Sequence, residues 1–534
     1  MKNESLTVTI SKSEYDDLKS VNDELKCEIE SLKSDNAELT AKVNWLMAQF
    51  RLAKHRQFGA SSEKSEYDQI NFFNEAEKTA DANILEPELT EIEKHYRKKK
   101  RSAKDRLPED LPVETVVHEL EPEECNCPEC GGKLHVMGHG IREELKLIPA
   151  KAVIVKHIQS VYACRHCEKD ECGVPIVKAP LVEPVIKGSF ASPEAVAHIM
   201  CQKFVMGTPL YRQEQEWNRY GIMLSRQTMS NWLLKATEDW LEPVYDMLRE
   251  LLISSYQVLH ADETTLQVLH EPGKSAQSKS YIWLYRTSGD VKDAIVLYEY
   301  QPERKAKHPK AFLDDFKGYL HTDGYEAYHN LPEDITVVGC WAHARRKFDE
   351  ALKGVEEKDR KDSFSLIGKR FCDKLFYIER GIKDLSAQER FQKRQELSKP
   401  VLDMFFSWLN SINVTPKTGV GNAVRYTLDQ WKYLERYIED GRLEISNNRA
   451  ERSIKPFVVD RKNFLFCNTP RGAKASAVML SLIETAKENG LNPFAYLTYI
   501  FQNAPNWNIR NNIDRLALFI PWFVPDFCKA KIKI

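Results

Sequence analysis

Four cysteines are spaced to bind a metal. Cys127-Pro-Glu-Cys130 is followed by two glycines and is answered downstream by Cys164-Arg-His-Cys167. Two such tight turns supply four thiolates, the set that holds structural zinc tetrahedrally, and Gly131 gives the first turn the backbone freedom it needs. A redox Cys-x-x-Cys accounts for one pair but not for both. Cys125 and Cys172 are further thiols that leave the ligand set open, and His166 reads as a surface residue. A second chemistry needs carboxylates, and Asp262, Asp323 and Glu451 are the candidates. Three carboxylates and a bridging phosphate can hold two divalent ions about 3.5–4 Å apart, so that one side activates a hydroxyl and the other stabilises the leaving oxygen. Taken singly, each acid has an ordinary account. The aspartates suit strand-end turns, and Glu451 follows Asn448 by three, the spacing of a capping box.

The elements that must position these acids follow from periodicity. From Tyr256 the pattern changes from helical to alternating: strands are predicted over Tyr256–His270, Tyr281–Arg286 and Ala294–Tyr300. A helix near Pro309–Phe316 and strands over Gly318–Asp323 and Thr336–Trp341 come next. A meander, a helix and two more strands make the strand order of a ribonuclease H-like α/β domain, in which Asp262 and Asp323 sit on adjacent strands. Residues 342 to about 440 read as helical, and Glu451 then falls on a short helix ended by Pro456. The domain is placed at 252–470, with a helical insertion at about 346–440 and a helical tail over 475–534.

Upstream, Leu18, Leu25, Leu32, Leu39 and Leu46 recur every seven residues as d positions, with Tyr15, Asn22, Ile29, Asn36, Val43 and Phe50 at a. Ile29 and Val43 at a with Leu at d favour two parallel strands, and the two Asn fix register. A leucine-zipper coiled coil is predicted over 11–50, then a linker over 51–118. The linker contains RKKKRSAKDR (97–106), seven basic residues and one acid, with Lys98, Lys99, Lys100 and Arg101 as candidate phosphate contacts. A solvated charge run is the plainer reading of the same stretch. The zinc ribbon is placed at 119–180, with Glu144–Ala163 as its strands. Residues 189–250 read as three helices, Ser192–Phe204, Leu210–Tyr220 and Ser225–Leu248, with Ser225 as N-cap of the last. Such a triplet fits a helix-turn-helix whose Arg226 and Gln227 would enter the major groove, although small helical triplets occur in any bundle.

The whole is a multidomain α+β chain. Its 534 residues carry 77 Lys plus Arg against 79 Asp plus Glu, so the net charge of −2 does not announce a polyanion partner and any nucleic-acid surface is local. Arg449–Lys474 is such a place: seven basic residues, among them Arg452, Lys455, Arg461 and Lys462, stand against two acids. Twelve cysteines without a secretory signal fit metal ligands or buried thiols in a cytoplasmic protein. The longest apolar piece near the end, Leu516–Pro525, is too short to span a membrane.

Specific strings then carry a resemblance. His260-Ala-Asp-Glu-Thr264, His321-Thr-Asp-Gly-Tyr325, Cys340-Trp-Ala-His343 with Ala-Arg-Arg-Lys-Phe348, Asn447–Pro456 running into Arg461–Phe466, and Ser481–Gly490 occur in this order. With Arg56–Lys64, the paired Cys-x-x-Cys and Pro209–Gln213, they resemble the insertion sequence 66 family of bacterial DDE transposases over almost the whole chain. The resemblance implies that Asp262, Asp323 and Glu451 are the catalytic, Mg²⁺-binding acids, with two Mg²⁺ per site and a structural Zn²⁺. It implies element ends and target DNA as partners, a homodimer or higher assembly, and small accessory proteins encoded by the same element. It matches Cys340 and His343 to the family's Cys-x-x-His, read here as local organisation of the site with His343 buried and hydrogen-bonded. The expected activity is metal-dependent strand cleavage and strand transfer. Other readings are a DNA-binding regulator that has lost catalysis, which the presence of all three acids disfavours, and a structure-selective nuclease that cuts without joining.

The cysteine spacing makes a direct prediction. Purified protein should carry zinc bound by Cys127, Cys130, Cys164 and Cys167, and Cys130→Ser should release it and unfold the ribbon, because metal binding supplies most of a small metal domain's folding free energy. Elemental analysis that finds no zinc sinks the assignment.

Overall fold

The computed structural model describes residues 153–163 and 176–531, together with scattered positions between 11 and 33. The zinc knuckles, Cys125, Cys172, the basic arm and most of the heptad run lie outside the described residues. The chain divides into two units, Met1–Gly59 with His157–Ile534, and Ala60–Lys156. Of the second, only 153–156 are described, and they form no regular element. In the first, the described positions between 12 and 33 are helical, and Leu25 and Ile29, a d and an a position, are exposed. Strand β1 (Val161–Ala163) pairs antiparallel with β2 (Ile176–Lys178), so the pair brackets Cys164 and Cys167 in sequence. The strand expected over 144–163 is thus confined, among the described residues, to its last three positions.

Helices α1 (Pro193–Phe204), α2 (Leu210–Arg219) and α3 (Arg226–Ala236) occupy the segment read as a triplet. Their start signals work as read: Ser192 accepts from the Ala195 N–H and Ser225 from the Thr228 N–H, each at 3.1 Å. The third helix does not run unbroken to Leu248. A π-turn over Thr237–Leu241 interrupts it before α4 (Glu242–Ser255). Pro243 lacks the N–H that would bond Asp239, and the wider turn absorbs the missing bond.

The sheet has the order β5-β4-β3-β6-β7, built from β3 (Val258–Gln267), β4 (Lys279–Thr287), β5 (Val296–Gln301), β6 (Gly318–His321) and β7 (Ile335–Val338). β3, β4 and β5 form an antiparallel meander, whereas β6 and β7 add in parallel to β3. Ile282–Tyr285 and Val296–Tyr298 are fully buried, as continuous apolar runs covered on both faces should be. A short helix, α5 (Lys307–Phe312), leads into β6, and another, α6 (Glu326–His329), separates β6 from β7.

Distant segments bond to both sheet edges. On β5, the Val296 and Tyr298 N–H groups donate to Thr485 Oγ1 (3.0 Å) and Ser481 Oγ (2.7 Å) of α14 (Pro470–Glu488). An exposed edge strand invites pairing with another chain, and these hydroxyls occupy two of its donors. The tail expected to begin at 475 is therefore not a separate element: α14 crosses that boundary and belongs to the core. On β7, Arg436 donates to the Val337 carbonyl at 2.8 Å and the Gly339 N–H to the Tyr433 carbonyl at 2.9 Å.

Between β7 and Glu451 lies the expected helical insertion: α7 (Trp341–Lys353), α8 (Phe364–Ile382), α9 (Ala387–Lys393), α10 (Lys399–Ser411), α11 (Gly419–Asp429) and α12 (Trp431–Leu434). It has its own aromatic core around Trp341, Phe348, Phe405 and Trp431. Its exit is locked by Arg394, whose guanidinium is nearly fully buried. That group donates to both Glu379 oxygens (2.9 and 2.7 Å) and to the carbonyls of Tyr437, Asp440 and Leu443. The chain leaving this clamp enters α13 (Asn448–Phe464). The helix expected to end at Pro456 instead continues through it, because Ile454 and Phe457 on either side are buried and their burial outweighs the one bond proline removes.

Arg394→Ala strands a buried carboxylate and three carbonyls. Loss of one partner of a buried charge pair costs about 3–5 kcal/mol, and urea denaturation should show a fall of that size; a change under about 1 kcal/mol would show that water replaces the clamp.

Candidate active site

Asp262 projects from β3. Asp323 lies two residues beyond β6, and parallel pairing of His260 with His321 places the two aspartates at corresponding positions on neighbouring strands. Glu451 occupies the first turn of α13. Asn447 precedes that helix as N-cap but makes no side-chain capping bond, and Glu451 is not engaged in a capping box.

Asp262 senses the other two acids. The Asp262 carboxyl is held well above the usual carboxylate range, first by burial and then by the negative charges of Glu263, Asp323 and Glu451, with the Glu263 N–H opposing at 2.8 Å. Asp323 Oδ1 accepts the Tyr325 N–H at 3.0 Å. Glu451 is half-buried, its Oε2 3.5 Å from Arg346 Nη2 and its Oε1 3.8 Å from His343 Nδ1.

A buried polar layer beneath the acids fixes this arrangement. Asn447, 1% exposed, donates from Nδ2 to the Ala261 carbonyl at 2.8 Å, and its Oδ1 lies 2.9 Å from His260 Nδ1. Those partners put the His260 proton on Nδ1. The His260 and His321 rings stack at 4.5 Å, and His321 Nε2 accepts the Glu444 N–H at 3.2 Å. Burial holds His260 down to about 3, with the Asn447 bond opposing and the charges of Arg286, Arg449 and Arg452 reinforcing, so the ring is neutral at physiological pH. The Asn447 N–H donates to Cys340 Sγ at 3.2 Å, and burial pushes the Cys340 thiol up to about 11. One asparagine thus joins the Asp262 strand, the start of α7 and the start of the Glu451 helix.

His343 departs from the expectation of a buried, hydrogen-bonded ring. It is about one-quarter exposed, and its Nδ1 is buried without a hydrogen-bond partner, facing Glu451. Cys340 Sγ and a ligand atom each of His343 and Glu451 all lie within 4.8 Å of one another, a spacing able to hold a metal ion.

Glu263 was missed by sequence reasoning. Its side chain is 2% exposed and receives Arg304 Nε at 2.8 Å, Arg304 Nη2 and the Tyr328 hydroxyl. Arg304 in turn covers the Tyr325 ring at 3.4 Å. The only trace in the sequence was a second acid directly after Asp262, which on a strand points to the opposite face.

The basic residues separate into two kinds. Arg461 is structural, bonded to the Thr265 carbonyl and hydroxyl and so pinning the end of α13 to β3. Arg452, Lys455 and Lys462 are exposed along α13. Arg226 and Gln227 are exposed in the first turn of α3, with Arg226 4.0 Å from Glu214 and Gln227 bonded to Asn231. Glu444 is occupied by Arg449 Nε (2.7 Å) and the Gly289 N–H (3.0 Å). Lys98, Lys99, Lys100, Arg101 and the four knuckle cysteines lie outside the described residues.

Similarity to known families supports the class, an enzyme of polynucleotidyl-transferase type. The chain belongs to the Transposase IS66 family, whose model matches residues 188–475. The zinc-finger binding domain of transposase IS66 matches 124–168, the IS66 C-terminal element 481–522, and a leucine-zipper model described as Transposase C of IS166 homeodomain 45–116. The zinc-finger match contains Cys125, Cys127, Cys130, Cys164 and Cys167 but not Cys172, and the zipper match overlaps the heptads only at their end. Among relatives, a Sinorhizobium fredii protein named uncharacterized protein y4jD is 32% identical over 431 residues, 78% of this chain and 81% of that one. From the same organism, uncharacterized protein y4qI is 29% identical over 528 residues, 93% and 92% of the two chains. Membership supports a transposase role with a zinc-binding domain, and DNA as partner. Among the described residues, no helix is long and apolar enough to cross a membrane.

The raised Asp262 carboxyl has a consequence for stability. The native state keeps a proton that the unfolded chain releases, so stability falls as pH rises from the ordinary value of about 4 toward the raised one. Asp262→Asn removes that loss and should raise the melting midpoint near pH 7 by roughly 1–4 °C. A variant that melts below wild type in metal-free buffer would contradict this account.

Proposed function

We propose that this chain is a Mg²⁺-dependent DDE transposase that binds the ends of its mobile element, cleaves DNA and transfers the cut strand to target DNA. The observation that carries the proposal is the meeting of Asp262, Asp323 and Glu451, from two parallel strands and a helix, at one charge-coupled site. The β5-β4-β3-β6-β7 order supports the ribonuclease H-like reading of the core.

The residues fit divalent ions. Burial and the nearby charges of Glu263, Asp323 and Glu451 raise the proton affinity of Asp262, and Glu451 Oε1 is a buried oxygen without a hydrogen-bond partner, a carboxylate donor set suited to a hard cation. Asp262, Asp323 and Glu451 would hold two Mg²⁺, which when bound supply charge neutralisation and polarise the attacking and leaving oxygens. The chain itself supplies orientation: the Glu263 and Tyr325 N–H groups each fix one oxygen of an aspartate. Arg452, Lys455 and Lys462 present a cationic helix face to the sugar-phosphate backbone, which sets affinity and salt dependence more than sequence choice. Nicking adds water across a phosphodiester and frees a 3′ hydroxyl; transfer exchanges that hydroxyl for a 3′ oxygen of the target strand.

Recognition of the ends is assigned to Arg226 and Gln227 on α3, with Lys98, Lys99, Lys100 and Arg101 as a phosphate-contacting arm. Cys127, Cys130, Cys164 and Cys167 hold the structural Zn²⁺. The heptads over 11–50 pair two protomers so that both element ends are held together in the cytoplasm, assisted by accessory proteins of the same element.

The test incubates purified protein and Mg²⁺ with labelled element ends and target DNA. Asp323→Asn should bind ends as wild type does, or tighter because carboxylate–phosphate repulsion is relieved. It should lose nicking and joining by at least about 1,000-fold, and pairing it with Glu451→Gln should cost little more because the acids act as a unit. Joining by Asp323→Asn at the wild-type rate overturns the assignment. Wild-type protein that cuts without joining indicates the nuclease, and protein that binds without cutting indicates the regulator.

A further inference from the structure

Beside the acid site, three side chains of different chemistry converge. Cys340 ends the loop after β7, His343 lies in the first turn of α7 and Glu451 in the first turn of α13, and one ligand atom of each lies within 4.8 Å of the others. His343 Nδ1 and Glu451 Oε1 stand 3.8 Å apart, and both are buried atoms without a hydrogen-bond partner. Buried polar atoms left unpaired are destabilising, and a ligand that engages both relieves the penalty. Two ligands bonded at about 2.1 Å to a tetrahedral ion are about 3.4 Å apart, so a small side-chain adjustment brings both atoms onto one cation. The third atom, Cys340 Sγ, already accepts the Asn447 N–H, the kind of outer bond that orients and stabilises a metal-bound thiolate.

We propose that Cys340, His343 and Glu451 form a binding site for a borderline or soft divalent cation of the Zn²⁺ class, which draws Glu451 away from the carboxylate site. A thiolate and an imidazole select Zn²⁺ or Co²⁺ over Mg²⁺, which takes oxygen ligands. On binding, Cys340 gives its thiol proton to solvent and no redox change occurs. The sharing of Glu451 makes the site inhibitory: an ion held by sulfur and nitrogen on one side of this carboxylate competes with its use by the aspartates on the other. This consequence rests on Glu451 serving as the third acid; the metal site itself does not.

The experiment has two arms. In the first, full-length protein with its ribbon zinc in place is titrated with Co²⁺ and followed by the thiolate-to-cobalt absorption band. A band should appear in wild type, disappear in Cys340→Ser, which keeps a hydrogen-bond acceptor for Asn447, and require at least about tenfold more Co²⁺ in His343→Ala, a partly exposed position whose change leaves the fold intact. No band, or a band unchanged in both variants, overturns the proposal. In the second arm, Mg²⁺-supported joining is measured with increasing Zn²⁺, each protein referred to its own zinc-free rate. The half-inhibiting Zn²⁺ concentration should rise at least about tenfold in Cys340→Ser; an unchanged value overturns the inhibitory role. A Co²⁺ band in a protein that never joins DNA retains the metal site and removes the transposase reading, so the two failures are distinguishable.

Discussion

The side chain of Asn447 is the constraint on which the site depends. With two side-chain bonds and one backbone bond, it ties the Asp262 strand, through Ala261 and His260, to Cys340 at the start of the insertion and to the helix that presents Glu451. The residue is almost fully buried, and amide groups in that environment must be bonded or they destabilise the fold. The neutral, stacked histidines extend the same layer to Glu444. The bonds of Asn447 hold the layer in place, although His260 Nε2 and His321 Nδ1 are buried without a hydrogen-bond partner.

Electrostatics oppose this geometry. Gathering Asp262, Glu263, Asp323 and Glu451 in a partly buried place raises the proton affinity of Asp262 and Glu263. The fold answers in two ways. Glu263 is paired with Arg304 and accepts the Tyr328 hydroxyl. Among the described residues, Glu451 has Arg346 and His343 beside it. An acid that already has its own arginine is thereby distinguished from acids available to an ion, and Glu444, held by Arg449, belongs with the former.

The helix carrying Glu451 is fixed along its length by contacts from elsewhere. Arg286, itself buried and paired with Glu488, reaches Ser453, and Arg461 grips Thr265. Such anchoring allows α13 to pass through Pro456 without ending. It also explains why α14 cannot be set apart as a tail: the helix that bonds to the β5 edge brings the Glu488 that neutralises Arg286.

Sequence by itself determined the local features, because they are written in neighbouring residues. The period of two gave the five strands to within a few positions, Ser192 and Ser225 announced their helices, and the helical insertion was visible as a change of period. The motif strings pointed to the family and nominated the three acids. What tertiary structure alone decided were the pairings across long separations. Arg304 with Glu263, Arg461 with Thr265, Asn447 with His260 and Ala261, and α14 with β5 have no signature in either partner's local sequence. The passage of α13 through Pro456 and the π-turn before Pro243 depend likewise on burial supplied by other segments. Proline and charge set local tendencies, and whether a helix stops or a basic residue faces solvent is settled by what packs against it.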